Sequence, residues 1–353
     1  MRGYLFIFIT FYILLSGCYK SHTPFIITEE CIIEPKIVGT FNSIDQAARG
    51  IYVRGNYAYV AYDGYGLAVI DITDPQNPHL VSSEPQPSDF DWRAFDVALS
   101  YNSAYAYLAS GYNGVLIIDI TDPRQPQLVS IVDTHLPPQY PHAIGIYALY
   151  NYVYVANMEG GLVIIDVTDP QEPQIVASFD SVYADEIYVS GNYAYLSSGF
   201  DGLSIIDVGD PGNPQLVASA EIRGYGTDVY VSGNYAYLTA SMGGGIRSGV
   251  LNIIDIGDPE NPQLVASVDI PGYASGVYVS GDYAYVAAEE MGLQIIDIST
   301  PTFPHIVSFV QTSGLAYAIY VTDNYAYVAN GFLADGSNRY QSSLQIVSLN
   351  CEY

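Results

Sequence analysis

The residues best suited to chemistry stand in a few loops of unequal length. Three carboxylates, Asp89, Asp91 and Asp96, lie close together, and two imidazoles follow at His135 and His142. Carboxylates can act as general acid and base, and carboxylates or imidazoles can hold a divalent cation. A hydrolase or lyase, working with or without such a cation, is therefore one alternative. The chain contains no serine-hydrolase, zinc-protease or phosphate-loop motif, so we assign no catalytic residue, metal or cofactor.

The same loops carry aromatic and cationic residues that favour recognition of a partner. Aromatic and arginine side chains are good anchors in protein and sugar binding sites. The candidates for a binding face are Phe90, Trp92, Arg93, His135, Tyr140, His142, Arg247, Arg339 and Tyr340. Trp92 is the single tryptophan. Its alternative role is to pack under its own loop or to plug a channel mouth.

These loops interrupt a unit that recurs seven times. One marker is the pair Tyr-x-Tyr, which begins at Tyr57, Tyr105, Tyr152, Tyr193, Tyr235, Tyr283 and Tyr325. A second marker, Ile-Asp-Ile/Val, occurs in six of the units, and its successive copies are 41 to 48 residues apart. Each unit contains short β-branched and aromatic runs bounded by Gly, Asn, Asp and Pro, which predicts four strands per unit. We name these strands A to D in chain order.

Four strands per unit at this spacing are typical of one blade of a β-propeller. The strands are apolar on both sides, as in Leu203–Ile206, and a blade buried between two neighbours requires this. We therefore predict an all-β fold, a seven-bladed β-propeller of four-stranded antiparallel blades. The tyrosine pairs of strand B are expected to pack between blades. The aspartate that ends strand C is expected to accept backbone N–H bonds near the next turn.

Strand counting predicts how the ring closes. Seven A–B–C sets are present, but only six D strands follow them, and the seventh matches residues 35–40, before the first strand A. The N-terminal strand is thus expected to complete the last blade. In the same alignment Cys31 and Cys351 correspond to a single position of the repeat, at the junction of strands C and D. This coincidence predicts a disulfide between them, with two free thiols as the alternative.

The connections between the strands of a propeller lie on two opposite faces of the disc. The A–B turns and C–D linkers share one side, here named the turn face. Most A–B turns read Ser-Gly-Asn or a close variant, and most C–D linkers keep Asp-Pro-x-x-Pro. The B–C and D–A loops share the other side, the loop face, where the long members cover residues 82–95, 131–145, 241–249 and 331–343. Unequal loops on a regular scaffold usually carry binding residues. The loop face is therefore the predicted binding face.

The first 17 residues have the pattern of an export signal. Arg2 precedes an apolar run over residues 4–15, which is short for a membrane span. The run ends in Leu-Ser-Gly-Cys at Cys18, which resembles the bacterial lipobox. That resemblance implies cleavage before Cys18, acylation of its thiol and, because Tyr19 follows, placement in the outer membrane or at the cell surface. Residues 18–34 are then a lipidated tether, and residues 35–353 form the propeller.

The charge balance restricts the partners. The chain has 10 Lys+Arg against 37 Asp+Glu, a formal net charge of −27. Such a field repels nucleic acid and anionic lipid, so contact with a membrane is expected through the lipid anchor alone. A protein or glycan at the cell envelope is the expected partner, and the protein is expected to be a monomer.

The repeat core Gly161–Pro170, GLVIIDVTDP, resembles the LVIVD repeat of predicted β-propeller proteins from bacterial and archaeal cell surfaces. Similar cores are found at Gly66–Pro75, Gly114–Pro123, Gly202–Pro211, Val250–Pro259 and Gly292–Pro301. The resemblance implies the propeller fold and an exported location. It supplies no catalytic residue, so a binding or interaction scaffold is the function we expect.

Overall fold

A computed structural model of the protein describes residues 32–43, 47–64, 66–83, 93–135, 142–243, 247–331, 342–349 and 351–352. Within these ranges, seven four-stranded antiparallel sheets form the blades of a propeller, as predicted. A short 3-10 helix covers Gly199–Asp201. No helix in the described part of the chain is long and apolar enough to cross a membrane.

Strand A of each blade is innermost, since neighbouring A strands contact one another around a central channel. In blade order the A strands are Ala48–Arg54, Asp96–Leu99, Gly145–Leu149, Glu186–Ser190, Tyr225–Ser232, Gly276–Ser280 and Leu315–Val321. The B strands are Tyr57–Tyr62, Tyr105–Ala109, Tyr152–Ala156, Tyr193–Ser197, Tyr235–Ser241, Tyr283–Ala287 and Tyr325–Gly331.

The outer half of each blade is formed by strands C and D. The C strands are Gly66–Asp71, Val115–Asp119, Leu162–Asp166, Leu203–Asp207, Ser248–Asp255, Leu293–Asp297 and Ser342–Ser348. The D strands, at the rim, are His79–Ser83, Gln127–Val132, Gln174–Phe179, Gln215–Ala220, Gln263–Pro271, His305–Val310 and, for blade 7, Lys36–Ser43. Strands A, C and D of blade 5 are longer than those of the other blades, because pairing continues into its loops.

Burial on both faces explains why strands B and C are apolar throughout. In blade 4, Leu203 and Ile205 pack with blade 5, whereas Ile206 packs with blade 3. The second tyrosine of each B-strand pair is buried in the same way, as Tyr59 is against blade 2 and Tyr327 against blade 1. The prediction that the tyrosine pairs pack between blades is confirmed.

The aspartate that ends strand C has the predicted turn-forming role. In blade 1, Oδ1 of Asp71 accepts the backbone N–H of Thr73 at 2.8 Å. The same bond is made by Asp119, Asp166, Asp207, Asp255 and Asp297, each to the residue two positions on. Hydrogen bonds from Thr73 hold the pKa of Asp71 below its ordinary value. The carboxylate therefore fixes the turn into strand D.

The ring closes through the N-terminal strand, as strand counting predicted. Strand Lys36–Ser43 pairs antiparallel with Ser342–Ser348, and Ile37 lies opposite Val347. Every C–D pair of the propeller has a register shift that skips one D-strand residue, and in blade 7 the skipped residue is Val38. Because this bulge recurs in all seven blades, the N-terminal strand is a true D strand.

The two chain ends also meet beyond blade 7. Residues Ile32–Ile33 pair with Cys351–Glu352, and Ile33 lies opposite Cys351. Cys31 lies outside the described residues, so the Cys31–Cys351 disulfide stays a prediction. The observed pairing does bring the two ends of the chain together, as the alignment predicted.

Gly39 provides a test of the closure. A Cβ atom on this residue would overlap the carbonyl oxygen of Pro75 in blade 1. The Gly39→Ala variant is therefore expected to lower the free energy of unfolding by about 1–3 kcal/mol, measured by urea unfolding. The matched control Asn42→Ala changes an exposed residue of the same strand and should stay within about 0.5 kcal/mol of wild type. Equal stability of the two variants would contradict the packing of this strand on blade 1.

Candidate functional site

The seven A strands enclose a cavity of about 700 Å³ along the propeller axis. Its wall is organised in layers, each formed by the residues at one repeat position of the seven blades. The layer nearest the loop face, here the mouth layer, contains Arg49, Phe95, Ile144, Asp185, Thr227, Ser275 and Tyr317. Three B–C and D–A loop residues, His142, Met158 and Glu289, extend this wall to the loop face.

A ring of tyrosines lines the part of the channel nearer the turn face. This tyrosine layer consists of Tyr52, Tyr147, Tyr188, Tyr230, Tyr278 and Tyr320, and blade 2 has Ala98 at the same position. Consecutive rings pack in series with centroids 4.8 to 5.1 Å apart, except on either side of Ala98. Burial raises the pKa of Tyr147, Tyr230 and Tyr320, so the hydroxyls stay protonated and can donate hydrogen bonds.

Between these two layers lies a cluster of three carboxyl groups, here the carboxyl layer. Asp96, Glu186 and Asp228 occupy one position of strand A, two residues or about 7 Å before the tyrosine layer. The other blades have only glycine or alanine there, at Gly50, Gly145, Gly276 and Ala318. The small residues make room: a Cβ atom on Gly145 would overlap the carboxylate of Glu186.

Backbone hydrogen bonds hold these carboxyl groups and connect blades. Oδ2 of Asp96 accepts the N–H of Ile146 in blade 3 at 3.2 Å. Oδ2 of Asp228 accepts the N–H of Val277 in blade 6 at 2.7 Å. Oε2 of Glu186 accepts the N–H of its own neighbour at 3.1 Å, and the Asp96 and Glu186 carboxyl groups are hydrogen-bonded to each other.

Desolvation changes the charge state of the carboxyl layer. It raises the pKa of Asp96 and of Asp228 to about 7, against an ordinary value of 3.8. Desolvation, together with repulsion from Asp96 and Asp228, raises the pKa of Glu186 well above its ordinary range. Since like charges this close resist joint ionisation, the cluster holds protons near neutral pH. A cation entering the cavity would release them.

The mouth layer carries further polar groups. Arg49 donates to Oδ2 of Asp63 at 3.2 Å and lies over the ring of Tyr317 at 4.6 Å. Desolvation raises the pKa of Asp185 to about 6, although Tyr225 and Tyr183 donate to it. Its Oδ2 atom is buried without a hydrogen-bond partner among the described residues.

Of the predicted binding residues, five lie outside the described residues: Phe90, Trp92, Tyr140, Arg339 and Tyr340. The lipidation residue Cys18 and the acidic pair Asp89 and Asp91 lie outside them too. Arg93 is exposed and forms an isolated backbone bridge with Asp63. Arg247 is paired with Glu290. Both arginines belong to loops of the loop face, and their role in binding stays a prediction.

The two predicted histidines are brought together by an aromatic ring. Tyr112 lies parallel to His135 at a centroid distance of 6.0 Å and edge-on to His142 at 3.8 Å. His135 also contacts Asp133 through Nδ1 at 2.7 Å. Desolvation lowers the pKa of His142. In the described part of the chain, no three His, Cys, Asp or Glu side chains are grouped for metal binding.

The enzyme alternative placed Asp96 with the two histidines, and the structure brings it together with one of them. Asp96 and His142 both line the cavity, whereas His135 is not part of its wall. Asp96 contacts Glu186. Glu186 and Asp228 are site residues that the sequence analysis missed. Their signal was present: aligned strands A show a carboxylate in three units and Gly or Ala in four.

Two residues at the mouth have an unusual backbone. Met158 and Glu289 have φ of 48° and 37°, whereas the equivalent residues of blades 2 and 4 are Gly111 and Gly199. A side chain is disfavoured in this left-handed region, so these loops accept strain to place a side chain in the cavity wall.

Comparison with known proteins agrees with this architecture. The LVIVD-repeat profile matches residues 46–84, 93–134, 142–181, 182–221, 223–270, 271–312 and 313–335. The chain belongs to the LVIVD-repeat family. Comparison with curated protein sequences gives no significant match.

Solved structures similar to this LVIVD-repeat protein show the fold. The structure of U3-55K has a TM-score of 0.68 at 9% identity, over 88% of this chain and 98% of that one. The β-propeller domain of Myceliophteria thermophila Cps50 (Swd1) has a TM-score of 0.67 at 14% identity, over 90% and 100%. At such identities the similarity concerns the propeller architecture alone.

The pH dependence of stability tests the carboxyl layer. Folding raises the pKa of Asp96 and Asp228 from 3.8 to about 7, so the folded state binds more protons between these values. Their contribution to the free energy of unfolding is therefore complete near pH 4 and is lost as the pH rises through 7. The double variant Asp96→Asn, Asp228→Asn should reduce this fall by on the order of 4 kcal/mol for each group, measured by urea unfolding at several pH values.

Asp71→Asn is the matched control for this experiment. Asp71 is a turn carboxylate whose pKa is lowered, so its loss should leave the fall above pH 4 unchanged. If the free energy of unfolding of the double variant falls with pH as much as that of wild type, the carboxyl groups of the cluster are hydrated and have ordinary pKa values.

Proposed function

We propose that this protein is an exported, lipid-anchored binding scaffold of the cell envelope, and that it holds its partner with the loop face. The cavity carries the proposal: about 700 Å³ of space lined by tyrosines and carboxyl groups and extended by loop-face residues. Concave sites with a few convergent polar groups and shifted pKa values are typical of binding sites. The strained Met158 and Glu289 support the same location.

Exposed apolar side chains around the mouth support a protein partner. Tyr112, Phe200 and Met291 belong to B–C loops and are 53%, 85% and 43% exposed. The ring of Phe200 packs edge-on against Tyr225 of the cavity wall at 4.9 Å. Such residues are good anchors at protein interfaces.

Of the two partner classes expected from the sequence, the cavity chemistry favours a protein that inserts a Lys or Arg side chain. A cationic side chain in the cavity is attracted electrostatically by the carboxyl layer and by the faces of the tyrosine rings. The net charge of −27 attracts such a partner from a distance. A glycan partner would use the same mouth without this electrostatic gain.

Crosslinking on intact cells, followed by purification of the full-length protein, tests this proposal. The variant Tyr112→Ala, Phe200→Ala, Met291→Ala is expected to recover about tenfold less of the partner than wild type, since hot-spot side chains contribute most of the binding energy. The matched control changes three similarly exposed rim residues, Leu80, Leu216 and Leu264, to Ala and should recover the wild-type amount.

Equal recovery with both variants would contradict binding at the loop face. Glu186→Gln extends the experiment into the cavity. It should weaken the binding of a partner that inserts a cationic side chain and leave the binding of a surface-bound partner unchanged. A polysaccharide in place of a protein in the crosslinked material would assign the mouth to a glycan.

The anchor is tested separately. Cys18→Ser removes the thiol that the lipobox-like sequence would acylate, and in this proposal the acyl chains on Cys18 hold the protein at the membrane. We expect the variant to lose incorporation of labelled fatty acid and to leave the membrane fraction. Cys351→Ser is the control and should remain membrane-bound. Wild-type labelling of the Cys18 variant would contradict lipidation there.

The alternative is a hydrolase or lyase, and one observation favours it. Asp96 and Glu186 are hydrogen-bonded carboxyl groups of raised pKa inside a cavity, as acid–base pairs often are. Incubation with envelope polysaccharides tests it by the appearance of new reducing or unsaturated ends. Product formation by wild type but not by Asp96→Asn would favour an enzyme over a scaffold.

A further inference from the structure

The turn face carries two exposed tyrosines that the regular repeat does not require. Tyr101 and Tyr150 belong to the A–B turns of the adjacent blades 2 and 3 and are 81% and 72% exposed. Their ring centroids are 6.4 Å apart, with the planes inclined by 43°. The pair lies on the face opposite the mouth of the cavity.

Tyr150 occupies a backbone position that favours glycine. Its φ is 52°, and the equivalent residues of blades 1, 4, 5 and 6 are Gly55, Gly191, Gly233 and Gly281, with φ from 57° to 59°. A Cβ atom added to any of these glycines would have no atom within 4 Å, so a side chain at this position points into solvent. Tyr150 thus strains the turn and gains no packing within its own blade, which indicates a use outside the fold.

The turn that carries Tyr101 is held in place. Nη1 of Arg54 donates to the carbonyl oxygen of Tyr101 at 3.1 Å and to Oγ of Ser103 at 2.6 Å. Oδ1 of Asn102 accepts from Ser100 and from the N–H of Ala104 at 2.9 and 3.1 Å. A fixed turn loses little conformational entropy when a ligand stacks on its ring.

The size of the patch decides between classes of partner. Two aromatic rings bury roughly 150–250 Å² each when covered. A stable protein interface needs about 800 Å² on each side, so the pair is too small to hold a protein. Two rings at this spacing match a ligand of a few rings in length.

The charge of the patch decides the class of ligand. Arg54 is the charged side chain that contacts the Tyr101 turn, and it disfavours a cationic ligand there. The net charge of −27 disfavours an anionic one. We propose that Tyr101 and Tyr150 form a stacking platform for a neutral saccharide chain, each followed in the chain by an exposed asparagine, Asn102 and Asn151. This site is independent of the loop-face partner.

Retardation of the full-length protein in native gels containing neutral polysaccharides tests the platform. The probes are dextran, laminarin, mannan, xylan and galactan. We expect wild type to be retarded by at least one of them, and Tyr101→Ala and Tyr150→Gly each to lower the association constant about tenfold, because each removes one stacked ring. Phe303→Ala, which removes a 77% exposed ring from a C–D linker of the same face, should behave as wild type.

Tyr150→Gly also separates binding from folding. It restores the residue that the turn favours, so its thermal midpoint should equal or exceed that of wild type while its retardation falls. No retardation of wild type by any of the five polysaccharides would overturn the platform. So would undiminished retardation of Tyr150→Gly, or an equal loss in Phe303→Ala. None of these outcomes bears on the loop-face crosslinks.

Discussion

The architecture depends on a single packing requirement: each blade has two apolar faces and can bury them only between two neighbours. Leu203 and Ile206 of one strand already belong to different inter-blade cores. A row of blades would leave an exposed face at each end, so the stack must close on itself. The N-terminal strand closes it, and its bulge at Val38 shows that it does so as an ordinary D strand.

The fold was predictable from the sequence because its determinants are local and repeated. The Tyr-x-Tyr pairs, the Asp at the end of strand C and the missing seventh D strand each have one physical meaning, and each prediction was confirmed. The site was less predictable, since its chemistry is not repeated. Asp96, Glu186 and Asp228 stand far apart in the chain and converge only because strand A of every blade faces the same axis.

The channel shows how a repeat scaffold acquires a site. At most positions of strand A, the residue type changes little from blade to blade. The carboxyl layer is an exception, because three blades have an acidic residue there and the other four have glycine or alanine. Asp96 and Asp228 also bond to the next blade, so one side chain both joins blades and shapes the cavity. Loss of such a residue therefore affects stability and binding together, and the exposed residues of the loop face are the cleaner probes of function.

The route of the chain through blade 7 has a consequence for anything attached to it. Both ends of the propeller meet beside blade 7, where Ile33 pairs with Cys351 at the junction of strands C and D. This junction lies at the outer edge of the turn face, so a membrane tether ahead of Ile33 would attach there. The loop face, with the mouth of the cavity, would then be directed away from the bilayer.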